Sequence, residues 1–225
     1  MKNGMIALKE WAIVCKALGE GKQILLLRKG GIMEFRKGFE IKHNEFFLYP
    51  TYEHQSKNSI KDQYIPYLES LLYDRHYNEK YDSNKNTINL FAQVYEIIEI
   101  TDRAILPKLQ NYHIWNNEYV TIRINYNPTK PLNVLLLRIF KIKEPLLVDI
   151  KDEWAGCKSW LNIDVDKKWE NFELTDYLNK GLRDNSNIIG NDIDDNNKKT
   201  LIEPVLNDYR FNEIAKEIKE AVSNK

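Results

Sequence analysis

The chain is short of cysteine: among its 225 residues there are two, Cys15 and Cys157, with no C-x-x-C spacing. That excludes a disulfide framework and a zinc knuckle, and both read as reduced thiols of a cytoplasmic protein. Net charge is missing too, since 33 basic residues meet 33 acidic ones. A protein that coats nucleic acid whatever its sequence is ordinarily basic, so that class is disfavoured, although a local basic cleft stays open. No apolar run approaches transmembrane length, and Lys9 and Glu10 interrupt the N-terminal one, so a signal peptide and a membrane partner are not expected. There is no Walker or dinucleotide glycine pattern and no G-x-S-x-G elbow. The four histidines, His43, His54, His76 and His113, fall in no metal-ligand pair. The expectation is therefore no cofactor, no metal and no assigned catalytic residue.

What is present is a core. Apolar residues make up 43% of the chain, and tyrosine, with 13 copies, dominates the aromatics. The length suits one domain, 1–225. Within it, 184–199 is nearly all Asn, Asp and Lys and reads as a flexible insertion. Gln23-Ile24-Leu25-Leu26-Leu27-Arg28-Lys29 has no polar face before its two cations, which predicts a short strand covered on both sides. Asn133-Val134-Leu135-Leu136-Leu137-Arg138 repeats the pattern. Ala7, Trp11, Val14, Cys15 and Leu18 fall at helical spacing and predict a helix from Met5 to Leu18, ended by Gly19 and Gly21. Ile32 to Phe35, Gly38 to His43 and Phe46 to Tyr49 read as short strands, the last stopped by Pro50. Ile60 to Leu72 reads as a helix with Pro66 kinking it or marking its first turn. The clearest alternation runs from Ile88 to Ile100. Asp102 caps a short helix through Leu109. Asn116 or Asn117 caps another, although Val120, Thr121, Ile122 and Ile124 favour a strand. Leu132 to Ile142 is the second buried strand, closed by Pro145. Leu161, Ile163 and Val165 alternate as a last strand, and Phe211, Ile214, Ala215, Ile218 and Val222 stripe a final helix.

Four constellations carry chemistry. An arginine ending a buried strand can reach a cleft and grip an anion through parallel hydrogen bonds. Arg28, Lys29 and Arg138 are so placed, and if the two strands are neighbours their guanidinium groups converge. The alternative is ordinary ion pairing to Glu34 or Glu144. Tyr52, Glu53 and His54 bring a histidine beside a carboxylate on a polar loop, as general acid-base work requires, or serve as structural hydrogen-bonders of that loop. Glu40-Ile41-Lys42 matches the E-x-K end of metal-dependent nuclease cores but lacks an upstream Asp. Trp154, Trp160 and Tyr52 are stacking surfaces for bases if they are exposed, and core residues if they are not.

Taken together, Ala7-Leu8-Lys9-Glu10-Trp11-Ala12, the Leu-Leu-Leu-Arg-Lys-Gly-Gly run, Tyr49 to Gln55, Pro131 to Arg138 and Gly156-Cys157-Lys158-Ser159-Trp160 resemble the prokaryotic family called domain of unknown function 1802. The likeness covers the chain to about Val165 and the terminal helix. It implies no established activity. Members sometimes accompany restriction-endonuclease-type domains, which implies a recognition or accessory role in restriction-modification and a restriction endonuclease as partner. Gly21 to Arg28 is also similar to the G-x-K-x-x-E-x-R motif of ASCH domains, within the PUA, ASCH and EVE barrels, with Gln23 in place of Lys and Leu26 in place of Glu. That likeness implies a small barrel that binds nucleic acid, modified bases included.

The sequence thus predicts an α+β fold, a mixed curved sheet or small PUA-like barrel with flanking helices. Its predicted role is recognition of DNA or RNA. Arg28, Lys29 and Arg138 would contact phosphate or a base edge, while Tyr52, His54 and Trp160 line a base-sized pocket. The rival readings are a nuclease or other hydrolase using His54, Glu53 or Glu40, and a protein-binding subunit without a pocket.

Overall fold

The structure is a computed structural model that describes residues 5–29, 43–77, 82, 84–156, 158–170, 172, 174 and 201–223. The proposed insertion at 184–199, the two strand candidates before His43, Glu40 and Cys157 lie outside the described residues.

Seven strands among the described residues share one mixed sheet: β1 (Met5–Trp11), β2 (Leu25–Arg28), β3 (Glu45–Thr51), β4 (Lys85–Ile100), β5 (Leu132–Asp149), β6 (Trp160–Ile163) and β7 (Ile202–Pro204). The spatial order is β2-β5-β4-β3-β1-β6, with β7 also on β5. Only β1 and β3 run parallel; every other pairing is antiparallel. The α-helices with described bounds are α1 (Ala12–Gly19), α2 (Ile65–Tyr77), α3 (Asn117–Asn125), α4 (Lys167–Glu170) and α5 (Asp208–Ser223). The fold is α+β, a curved open sheet with flanking helices. Its curvature is legible in one contact: three strands separate β2 from β1 along the sheet, yet Arg28 Nη2 donates to Lys9 O at 2.8 Å.

Both faces of the sheet are covered. Phe46 and Leu48 of β3 point into one apolar cluster with α1, α3 and α5, while Phe47 and Tyr49 point into the other with Trp154 and Trp169. β2 is buried along its whole length, as its unbroken apolar run requires.

Several boundaries differ from the sequence reading. Met5–Trp11 is a strand and only Ala12–Gly19 is helical. β1 sits between β3 and β6, and that ladder overrides the helix propensity of Ala, Leu, Lys and Glu. Pro50 lies inside β3, where it faces Glu10 of β1, beyond the Glu45–Phe47 stretch that pairs with β4. Pro145 does not end β5; it falls where pairing to β4 breaks off between Lys141 and Leu146. Pro66 does mark the first turn of α2. The segment after Asn116 is a helix, not a strand: Asn116 Oδ1 accepts from Tyr119 N at 2.9 Å, and that cap outweighs the β-branched residues. Asp102 likewise accepts from Ala104 N at 2.9 Å, opening a 3-10 helix over Arg103–Tyr112.

The exit from α1 turns on Gly21, at φ +66°, and a Cβ there would stand 2.7 Å from Leu206 Cδ2. Gly156 has a similar φ of +76° with nothing within 4 Å of its Cβ position. Gly156→Ala is expected to cost about 1 kcal/mol from backbone strain alone. Gly21→Ala should cost more, roughly 2 kcal/mol, because Leu206 must also shift. Urea denaturation of the two variants side by side checks the difference.

Candidate functional site

β1 and β3 are parallel and finish together, at Trp11 and Thr51. Just past those ends the chain opens a cleft of about 370 Å³, within the range of small-ligand sites. Lys9, Glu10 and Trp11 come from β1, Arg28 from the end of β2, Glu53 and His54 from the turn after β3. α3 forms the opposite wall with Tyr119, Ile122 and Arg123, joined by its C-cap Tyr126, and the 156–159 segment closes it with Lys158 and Ser159.

The charges are organised in two pairs. Arg28 Nη2 lies 3.1 Å from Glu10 Oε2, both side chains nearly buried, and Glu10 Oε1 accepts from Trp11 N at 2.9 Å. Lys9 Nζ is 3.2 Å from Glu53 Oε2 and also donates to Trp154 O at 2.8 Å and Gly156 O at 2.9 Å. A buried ammonium is held only when its remaining hydrogen-bonding capacity is met, and Lys9 meets it with two carbonyls. The lysine thereby ties the 154–156 segment to β1. Two further cations, Arg123 and Lys158, line the cleft, so four cations face two carboxylates. Arg123 Nε is buried without a hydrogen-bond partner, and no ion pair engages its guanidinium among the described residues. The cleft is therefore positive, and the half-buried Arg123 guanidinium, 5.8 Å over the Tyr119 ring, has no ion-pair partner among the described residues.

Its aromatic wall is backed by a ladder. Trp11 and Tyr119 lie 5.1 Å apart, Tyr119 stacks on Trp115 at 6.1 Å, and Trp115 meets His113 at 5.6 Å. Burial pushes the Tyr119 hydroxyl above its usual pKa, so it stays protonated and neutral. Ile122 and Tyr126 leave 58% and 43% of their surface exposed at the cleft, an apolar face that water gains nothing from covering.

Of the six residues singled out in sequence, the structure brings Arg28 and His54 to this cleft. His54 is exposed and is the only described non-glycine residue at positive φ, +60°. Lys29 is buried and donates through Nζ to Ile124 O, in the last turn of α3, which is a helix-capping position. Burial, with the charge of Arg103 behind it, lowers the Lys29 pKa. Tyr52 lies under the Arg75 guanidinium at 4.3 Å. Trp160 packs edge-on against Phe46 at 5.2 Å, as a core residue does.

Arg138 pairs with Asp208 and covers the Phe211 ring at 4.8 Å. It does not converge with Arg28, and the cause is the pairing. β2 and β5 run antiparallel with Arg28 opposite Asn133, so Arg138 stands five residues along, about 17 Å away at strand rise. An odd number of residues also puts the two side chains on opposite faces. Equal offsets in two antiparallel strands separate their ends. The alternative ion pairing of Arg28 does occur, but with Glu10. For the hydrolase reading, Glu53 is engaged by Lys9 and Glu40 is outside the described residues.

Sequence reasoning offered α3 as one of two outcomes and put none of its residues in the site. Tyr119, Ile122, Arg123 and Tyr126 recur at helical spacing behind the Asn116 cap, and only the preference for a strand concealed that stripe. Lys9 and Glu10 were hidden by the helix assigned to β1.

Most of the chain, residues 7–174, matches the family described as Domain of unknown function (DUF1802). No curated protein matches the chain. Among solved structures it is similar to a mutant ASCH protein from Zymomonas mobilis, with 11% identity and a TM-score of 0.37 over 80% of this chain and 96% of that one. It is likewise similar to ASCH from Zymomonas mobilis, with 12% identity and a TM-score of 0.37 over 76% and 93%. A likeness of that degree carries nothing about the site.

Proposed function

This chain belongs to the DUF1802 family, and from the cleft its fold builds we propose that it binds an unpaired nucleotide of DNA or RNA. The observation that carries the reading is Arg123: a half-buried guanidinium with no carboxylate partner among the described residues, beside Lys158 and the aromatic wall. A guanidinium without a carboxylate partner there is matched by phosphate, which it grips through two parallel hydrogen bonds. Trp11 and Tyr126 supply faces for a base, and stacking accepts any base because every base has a π-face. Arg28 and Glu10 on the floor offer a donor and an acceptor to a base edge, with His54 at the rim. The cleft is suited to one nucleotide rather than a duplex, so the base is taken from a single strand or out of the stack. Lys29, Tyr52, Arg138 and Trp160 have no part in this reading. A recognition or accessory role in restriction-modification, inside the cytoplasm and with modified bases among the ligands, is the finer form of the proposal; the sequence resemblances and the reading of both cysteines as reduced thiols are what support it.

Fluorescence anisotropy with short single-stranded DNA and RNA tests the proposal. Binding should weaken steeply with salt, and Arg123→Ala should lower affinity about tenfold and reduce the salt slope by about one phosphate contact. Binding that is absent, insensitive to salt, or unchanged in Arg123→Ala would overturn it.

A further inference from the structure

A second cavity, of about 460 Å³, lies between α1, α2 and the sheet and shares no lining residue with the cleft. Its floor is apolar and deeply buried: Ala12 and Cys15 of α1, Leu48 of β3, Leu90 of β4 and Ile142 of β5. Leu71 of α2 forms the other wall and keeps part of its side chain uncovered. Apolar surface is thus left open to a space larger than the nucleotide cleft, and an apolar occupant would remove it from water.

The polar lining is one-sided. Lys16 and Lys141 are its charged lining residues, Tyr52, Thr87 and Asn89 are neutral, and among the described residues no carboxylate lines the cavity. Lys16 does pair with Glu20 at 2.7 Å, but Glu20 is also held by Lys22 at 2.6 Å, so that trio keeps one net positive charge. Lys141 is exposed, with Glu203 as its cross-strand neighbour on β7. An apolar floor beneath a cationic rim fits a molecule with a hydrocarbon body and one anionic end.

We infer that this cavity binds a small amphipathic carboxylate, its hydrocarbon end against Leu48, Leu90 and Ile142 and its carboxylate at the rim that Lys16 and Lys141 supply. The site is independent of the nucleotide cleft, and either can fail without the other.

Cys15 provides a local reporter, because it lines the cavity; it is 7% exposed and its Sγ donates to Glu10 O at 3.9 Å. In the full chain carrying Cys157→Ser, decanoate at ten times its Kd should slow alkylation of Cys15 roughly tenfold, the protection expected of a single occupied site. Leu71→Trp, at a half-exposed position that tolerates bulk, should fill the space and abolish decanoate binding in calorimetric titration while circular dichroism stays unchanged. Lys16→Gln with Lys141→Glu should weaken decanoate binding about tenfold and leave decanol unaffected. Alkylation that ignores decanoate at millimolar concentration overturns the site. Equal binding to the Leu71→Trp protein moves it elsewhere and also overturns it. Decanol binding as tightly as decanoate overturns the carboxylate.

Discussion

Between pH 7 and pH 4 the folded protein should lose about 3 kcal/mol of stability through His113 alone. Its ring is 2% exposed and neither nitrogen makes a well-formed hydrogen bond. Burial lowers its pKa from 6.5 to about 4, and the charge of Lys61 adds to the effect; backbone groups of Trp115 and His113 pull the other way without prevailing. The folded pKa is depressed, so the unfolded chain takes up a proton first as the solution is acidified. Stability is whole above pH 6.5, falls through the window down to about 4, and is level below it. Urea denaturation at several pH values checks this, with His113→Leu as control. The variant should have a flatter profile across that window. Parallel profiles would mean that His113 is hydrogen-bonded well enough to stay charged. The consequence reaches the cleft, since His113 is the inner end of the ladder that runs through Trp115 and Tyr119 to Trp11.

Replacing Lys9 by Met should destabilise the protein by about 2–4 kcal/mol and weaken nucleotide binding as well. The Met side chain fills the same volume but leaves the carbonyls of Trp154 and Gly156 without their donor. Glu53, which is 49% exposed on its side chain, can turn to water, so the carbonyls and not the carboxylate dominate the cost. The second effect is positional. Lys9 holds the 154–156 segment against β1, and Lys158 follows that segment into the cleft. Loss of affinity in Lys9→Met should therefore exceed that in Glu53→Gln, which leaves both carbonyl bonds in place. A Met variant as stable as the parent would show that the carbonyls have other donors, and this account of the cleft wall would fall.

Much of the fold was readable from local rules. The alternation of Ile88 to Ile100 became β4, the apolar run at Leu25 became a strand buried on both faces, and Asp102 and Asn116 capped the turns they precede. Where those rules competed, as between the Asn116 cap and the β-branched residues after it, the sequence named both outcomes and packing chose one. The first strand was lost because Ala, Leu, Lys and Glu suit a helix, and only the neighbours β3 and β6 make them a strand.

Periodicity, capping and turn chemistry are interactions within a few residues, so the sequence alone determined an α+β chain, its two buried Leu-Leu-Leu-Arg strands and most of its element types. The direction in which those two strands pair depends on what each must bury across the whole sheet, and no residue in either strand encodes it. Antiparallel pairing sent Arg138 to the far end and the other face, while the curl of the sheet brought Arg28 to β1 and the cleft. The candidate site, gathered from positions between Lys9 and Ser159, is therefore a product of the tertiary structure, because only the curl of the sheet sets those residues side by side.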